Sequence, residues 1–374
     1  LNALELTKQL LIQFPENILL IEQIAGFYAQ LGDDKSALEY YQKVLKYDLT
    51  KVNVHYNLAC LFKKQHRLSD AERSFKNALV LRGDFVEAYY NLASLYVEKQ
   101  RYLEAEEYYQ AALKYRPNYT EAYFNLGLLL STLGRFKEAE VAFQNTIKIL
   151  PSHANSYNRL AELYQKQKRY KDSEKFYRIA ITLKKDCPQF YTNLGDLFFE
   201  QKNYEGAKAV YLAGLDIQQD QAELHAKLGG IYQMQKRYKE AEGSYQTALL
   251  LSPDFVEVYV NLGNLFLELN RYTDAEDCYN SAIKLKPDCV DIYLNLGLLF
   301  QKQERFSDAE NIYKKVLVLQ KNESKEIYLS FIPSTSGEYS GKLVVKNDKS
   351  FNEFYLSGTG GNPVSFSIEP ANLN

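Results

Sequence analysis

The hydrophobic pattern of the chain returns every 34 residues. Nine units follow one another without insertion, at 18–51, 52–85, 86–119, 120–153, 154–187, 188–221, 222–255, 256–289 and 290–323, and residues 1–17 match the second half of a further unit. Counted within a unit, position 7 is Ile24 and then leucine from Leu58 to Leu296, and position 8 is alanine or glycine throughout. Position 20 is alanine in every unit but one, where it is Ser173, and position 24 is aromatic from Tyr41 to Tyr313. Apolar residues spaced three and four apart across positions 3–11, and again across 20–28, predict two amphipathic helices per unit. Small residues at positions 8 and 20 let the two helices approach, and the aromatic ring at 24 fills the space beside them, burying on the order of 150–250 Å². Proline at position 32 (Pro117, Pro151, Pro253, Pro287) cannot continue the second helix and opens the turn to the next unit. One helix pair cannot bury its apolar faces alone, whereas a stack of them can.

These features resemble the tetratricopeptide repeat family, whose units are 34-residue helix–turn–helix pairs. The resemblance covers residues 1–323, with tyrosine or histidine (Ile21 in the first unit) where the family usually has tryptophan at position 4. It implies an all-α fold, a right-handed α-α superhelix of nine full repeats and a half repeat, whose first helices line a concave groove. Pentatricopeptide RNA binders are argued against by the strict period, the small residue at position 20, the proline at position 32 and a formal net charge of only −2.

Position 6 carries Asn57, Asn91, Asn125, Asn193, Asn261 and Asn295, with Gln23, Arg159 and Lys227 in the other units. On a helical wheel it falls with positions 2, 9 and 13, away from the core residues. The amide offers a donor and an acceptor side by side, matching a peptide N–H and C=O. Helices packed about 8–10 Å apart would present one amide for roughly every three residues of an extended ligand, at about 3.3–3.6 Å per residue. A similar ladder occurs in the repeat domain of the protein O-linked N-acetylglucosamine transferases, and these six residues match it in position. The resemblance implies capture of a ligand main chain. A solvated helix face that simply tolerates asparagine, copied by repeat duplication, is the other reading. Tyr56, Tyr90 and Phe124 at position 5 are the candidate anchoring aromatics, and Arg159 and Lys227 the candidate groove cations. A local packing stripe is the alternative for the three rings. On the ligand reading, replacing Asn57, Asn91 and Asn125 by alanine weakens peptide capture and leaves thermal stability nearly unchanged. The recurrent arginine at position 16, from Arg67 to Arg305, is expected in a solvated turn.

Composition narrows the function further. Charged residues make up 25% of the chain and the net charge is near zero, so there is no electrostatic footprint for nucleic acid. No apolar run reaches the ~18 residues that span a bilayer. The cysteines Cys60, Cys187, Cys278 and Cys289 have no CxxC spacing, and His55, His66, His153 and His225 form no HxxxH pair. No catalytic constellation, phosphate loop, cofactor signature or metal spacing stands out, and the glycine-rich SGTGG at 357–361 reads as a turn. Leu1 is not an initiator methionine, so the chain reads as a piece of a longer one.

Beyond residue 323 the period changes from 3.6 to 2. Segments 325–333, 341–348, 352–360 and 364–370 read as strands between Ser, Gly and Asn turns, a short partial β segment over 324–374. The phrase FIPSTSGEYSGKLVVKND…FYLSGTG resembles the later strands of ASH/Hydin-type immunoglobulin-like domains, which carry no chemical site. The favoured expectation is a non-enzymatic scaffold that takes a protein or peptide partner in its groove. The alternative is the non-catalytic targeting arm of a larger enzyme such as an O-linked glycosyltransferase. Uncapped ends leave self-association as a third outcome.

Overall fold

The computed structural model describes residues 2–321 together with the strand segments 327–333, 338–347 and 350–359. Each 34-residue unit folds as a hairpin of two antiparallel helices. The repeat at 86–119 is representative, with a 13-residue first helix, Val86–Glu98, and a 14-residue second helix, Tyr102–Tyr115. The half repeat contributes one helix, Asn2–Gln13, and the series closes with Phe306–Lys321.

The periodic residues are the core. In the 86–119 repeat Ala88, Leu92, Ala93, Leu95 and Tyr96 of the first helix are buried, as are Ala105, Tyr109 and Ala112 of the second. The small residue at position 8 faces the ring at position 24. A Cβ added to Gly263 would lie 2.6 Å from the Tyr279 ring, and one added to Gly127 would lie 2.6 Å from Phe143. Ser173, which replaces the alanine at position 20, is fully buried and its Oγ has no hydrogen-bond partner.

The hairpin turn is set by a backbone device that the hydrophobic pattern does not reveal. In the 52–85 repeat the N–H of Arg67 reaches the carbonyl of Phe62 at 2.8 Å, and that of His66 reaches Lys63 at 2.9 Å. This is a Schellman closure, which needs a left-handed residue just past the helix. His66 supplies it at φ 55°, as do Gln100, Lys168, Lys202, Lys236, Asn270 and Glu304 in their repeats; glycine takes the position only at Gly32 and Gly134.

The arginines at position 16 are not merely solvated, as the sequence suggests. Arg101 sits over the Tyr96 ring, pairs with Glu104 in its own helix, and reaches Glu72 of the preceding repeat at 3.4 Å. The same triple contact recurs at Arg169, Arg271 and Arg305, with guanidinium-to-ring distances of 4.1 Å. The arginine thus fastens one repeat to the one before it. Position 4 is likewise a tie: Tyr89, Tyr191 and Tyr293 donate their hydroxyls to the carbonyl six residues earlier, and the rings of His55 and His225 meet the equivalent carbonyls at 3.0 Å.

The chain divides into two compact units, Leu1–Leu197 and Phe198–Asn374, with the division inside the helix Pro188–Glu200. In the first unit one continuous core runs from Ile21 to Tyr164. In the second, a core runs from Ala241 to Ala309. The C-terminal segment is an antiparallel sheet of three strands in sequence order, β1 (Ile327–Pro333), β2 (Glu338–Asn347) and β3 (Ser350–Thr359). Its register pairs Leu329 with Leu343 and Leu343 with Phe354. The fourth expected strand, 364–370, lies outside the described residues.

Candidate functional site

Position 6 lies on the first helix of each repeat, on the side away from the paired second helix's core contacts, and the six asparagines there are half-buried except Asn261, which is exposed. The structure differs from the expectation that all six amides stand free. Asn91 Nδ2 donates to the Tyr56 hydroxyl at 2.9 Å, and Asn125 Nδ2 to the Tyr90 hydroxyl at 2.7 Å. Asn57 Nδ2 donates to the Tyr41 hydroxyl at 3.1 Å. Asn193 Nδ2 bridges Asn158 Oδ1 at 3.0 Å and Glu162 Oε1 at 3.1 Å, and its own Oδ1 accepts from Gln189. The acceptor in three of these cases is the position-5 side chain of the preceding repeat, 35 residues earlier. These amides therefore stitch successive first helices together through their nitrogens. Asn57, Asn91 and Asn125 keep an Oδ1 that takes no hydrogen bond from the described residues. Asn261 and Asn295 make no hydrogen bond to any described residue.

Sequence could not reveal this division, because the deciding residue is not next to the asparagine. A tyrosine or asparagine at position 5 one repeat earlier supplies an oxygen. Ala226 and Val260, which precede Asn261 and Asn295 by 35 residues, do not.

The position-5 aromatics are half-buried in the joints between repeats. Tyr56 lies 5.8 Å from Phe75 and 4.9 Å from Phe85. Tyr90 packs against Tyr109 and Tyr119, and Phe124 against Phe143 and His153. Burial, followed by the neighbouring Cys60, pushes the Tyr56 phenol well above its ordinary range, and burial also raises Tyr90 even though Asn125 donates to it. Both therefore remain neutral hydroxyls, able to accept from an amide. Arg159 is exposed and held by Glu162 at 2.8 Å, and Lys227 is half-buried at the same position of its repeat. Lys63, on the same face, loses basicity through burial while its Nζ donates to Ser94 Oγ at 2.8 Å.

Burial raises the Cys60 thiol and, together with Asp274 and Asp277, pushes Cys278 up to about 12, so neither is an activated nucleophile at neutral pH. Among the described residues no cluster of three His, Cys, Asp or Glu side chains could hold a metal ion, and no helix is long and apolar enough to cross a membrane. Asn57, Cys60 and Tyr41 line an open depression crossed by the Lys64–Asp34 ion pair at 2.7 Å.

Sequence models described as TPR repeat or tetratricopeptide repeat match residues 21–51, 84–152, 124–189, 195–236, 222–255, 263–304 and 292–326. No curated protein matches the chain. Among solved structures, a tetratricopeptide repeat protein from Parabacteroides merdae is 21% identical, covering 67% of this chain and 98% of its own, with a TM-score of 0.53. The MamA protein is 26% identical over 46% of this chain and 93% of its own, with a TM-score of 0.43. The PilF protein of Pseudomonas aeruginosa is 21% identical over 55% of this chain and 96% of its own, at 0.47.

Proposed function

The chain belongs to the tetratricopeptide repeat family, and from that premise we propose that it is a non-enzymatic scaffold binding extended peptide segments of partner proteins along the face of its first helices, the groove side in this family. The observation that carries the reading is the recurrence of a side-chain amide at one position of six repeats, with acceptor oxygens left open at Asn57, Asn91 and Asn125 and whole amides at Asn261 and Asn295. An amide in register every 34 residues suits a ligand read through its main chain. Sequence preference then comes from neighbours such as Arg159 and Lys227. Net gains of about 0.5–1.5 kcal/mol per hydrogen bond, less the ordering cost of the ligand, favour micromolar affinity.

The proposal assigns residues 1–323 to the repeat array and 324–374 to a β segment, part of an immunoglobulin-like module. The passage from the helix Phe306–Lys321 to β1 supports this boundary. A second reading, the substrate-targeting arm of a larger glycosyltransferase-type enzyme, draws on the positional match of the asparagines to that family's ladder. Both readings need the same face.

The test is to pan a random peptide library on the chain and then map the bound peptide with photo-crosslinkers. One is placed at exposed Asn155 on a first helix, the other at Val80, 85% exposed on a second helix. Crosslinks from Asn155 but not Val80 are expected. Capture of no peptide, or crosslinks from the second helices alone, would overturn the proposal.

A further inference from the structure

Whether a position-6 amide is free depends on the oxygens that the preceding repeat offers it. Tyr56, Tyr90 and Asn158 occupy Asn91, Asn125 and Asn193, and Tyr41 occupies Asn57. Behind Asn261 and Asn295 stand Ala226 and Val260, which have no side-chain oxygen. The phenols at the place that Tyr41 holds beside Asn57 are turned to other partners, Tyr245 donating to Gln233 at 3.1 Å and Tyr279 to Asn264 at 2.7 Å, and neither accepts from Asn261 or Asn295. These two adjacent repeats thus present amides with both N–H groups and the oxygen uncommitted, whereas Asn57 and Asn125 have given one N–H to a tyrosine and Asn91 and Asn193 have given both.

A second difference lies one helical turn earlier on the same face. Glu257 and Asp291 sit four residues before Asn261 and Asn295, are exposed, and make no ion pair with any described residue. At the equivalent place beside Asn91, Glu87 is held by Arg116 at 2.5 Å. Glu121 beside Asn125 is exposed and unpaired among the described residues, so what sets 256–289 and 290–323 apart is that two adjacent repeats both carry the uncommitted amide and the unpaired carboxylate. The cation at the far end of the last of these helices, Lys302, is eleven residues from Asp291, about 16 Å along the axis at ~1.5 Å per residue. Apolar side chains stand beside the amides: Val260, half-buried, precedes Asn261, and Leu298, 37% exposed, lies three residues past Asn295.

Resting on the groove reading above, we propose that repeats 256–289 and 290–323 form the gripping subsite of this chain, and that its ligand is an extended peptide segment carrying lysine or arginine. Each free amide pairs with the N–H and C=O of one ligand residue. Helices about 8–10 Å apart place the two grips roughly three residues apart on a strand rising about 3.3 Å per residue. Basic side chains extend toward Glu257 and Asp291, and an intervening apolar side chain meets Val260 and Leu298. The nitrogens of Asn57, Asn91 and Asn125 serve in addition to hold repeat to repeat.

The experiment uses the full chain and two fluorescein-labelled nonapeptides, one alternating lysine and valine and the other alternating glutamate and valine, read by fluorescence anisotropy. The lysine peptide is expected to bind at least tenfold more tightly. Asn261→Ala with Asn295→Ala should weaken it at least tenfold without moving the melting temperature. Glu257→Gln with Asp291→Asn should abolish the preference between the two peptides. Asn91→Ala with Asn125→Ala should lower the melting temperature and weaken the lysine peptide less than Asn261→Ala with Asn295→Ala does. Equal or reversed peptide preference overturns the inference, and so does failure of both peptides to bind. Loss of binding only in the Asn91/Asn125 variant overturns the subsite but leaves the groove reading standing. If the lysine peptide binds and no variant on this face changes its affinity, both fall.

Discussion

Asn91 shows most clearly what a single residue does in this array. Its Nδ2 donates both to Tyr56 of the preceding repeat and, at 3.0 Å, to the carbonyl of Glu87 one turn back. Removing the amide leaves the half-buried Tyr56 hydroxyl without that donor, at a cost of about 0.5–1.5 kcal/mol. Asn91→Ala should therefore lower the urea midpoint, and Tyr56→Phe should lower it by a similar amount. The double variant should lose less than the sum, a coupling read by the standard cycle; full additivity would show that the bond contributes nothing. The same reasoning amends the expectation that alanine at Asn57, Asn91 and Asn125 leaves stability untouched. Sequence placed these residues on one face because that follows from helical angle alone. It was silent on their partners, because a partner 35 residues away depends on how neighbouring repeats lie together.

The helix pair was the most legible element. Positions 7, 8, 20 and 24 are fixed by close packing, and close packing leaves its mark in every unit. The turn was far less legible: seven of its left-handed residues are ordinary side chains such as Gln100 and Lys168, so no run of glycines announces it. Nor did composition expose the joints between elements, where charge is used densely. Glu72, on a second helix, accepts from Lys76, from the Tyr96 hydroxyl and from Lys99 of the next repeat at 2.6–2.8 Å. Burial opposes its ionised form, but these three donors prevail and hold the carboxyl down at about 2, below its ordinary value of 4.5. A carboxyl depressed in the folded state stabilises above its unfolded pKa and loses that contribution as pH falls through the folded value. The melting-temperature gap between the native chain and Glu72→Gln should therefore be widest at neutral pH. It should narrow from about pH 4.5 and close near pH 2. A gap independent of pH would mean that the carboxylate charge has no role in the joint.

At the scale of the whole molecule, stability in a repeat array is a sum of repeats and their nearest-neighbour interfaces, so the consequence of damage should stay near the damaged joint. Arg271 is a suitable probe because its guanidinium touches three groups at once: the Phe266 ring at 4.1 Å, Asp274 at 2.7 Å and Glu242 of the preceding repeat at 2.9 Å. Exposed pairs of this kind contribute little one by one, yet Arg271→Ala removes the ring contact as well and leaves Glu242 without its cross-repeat cation. Hydrogen exchange should quicken in the helices Tyr238–Leu251, Val256–Glu268 and Tyr272–Leu285. In repeats 52–85 and 86–119 it should be unchanged. Arg271→Lys should restore only part of the protection, since an ammonium keeps the charge but lacks the planar fork and the stacking face. Uniform loss of protection along all nine repeats would instead mean that the array unfolds as one cooperative body, and the nearest-neighbour account would have to be abandoned.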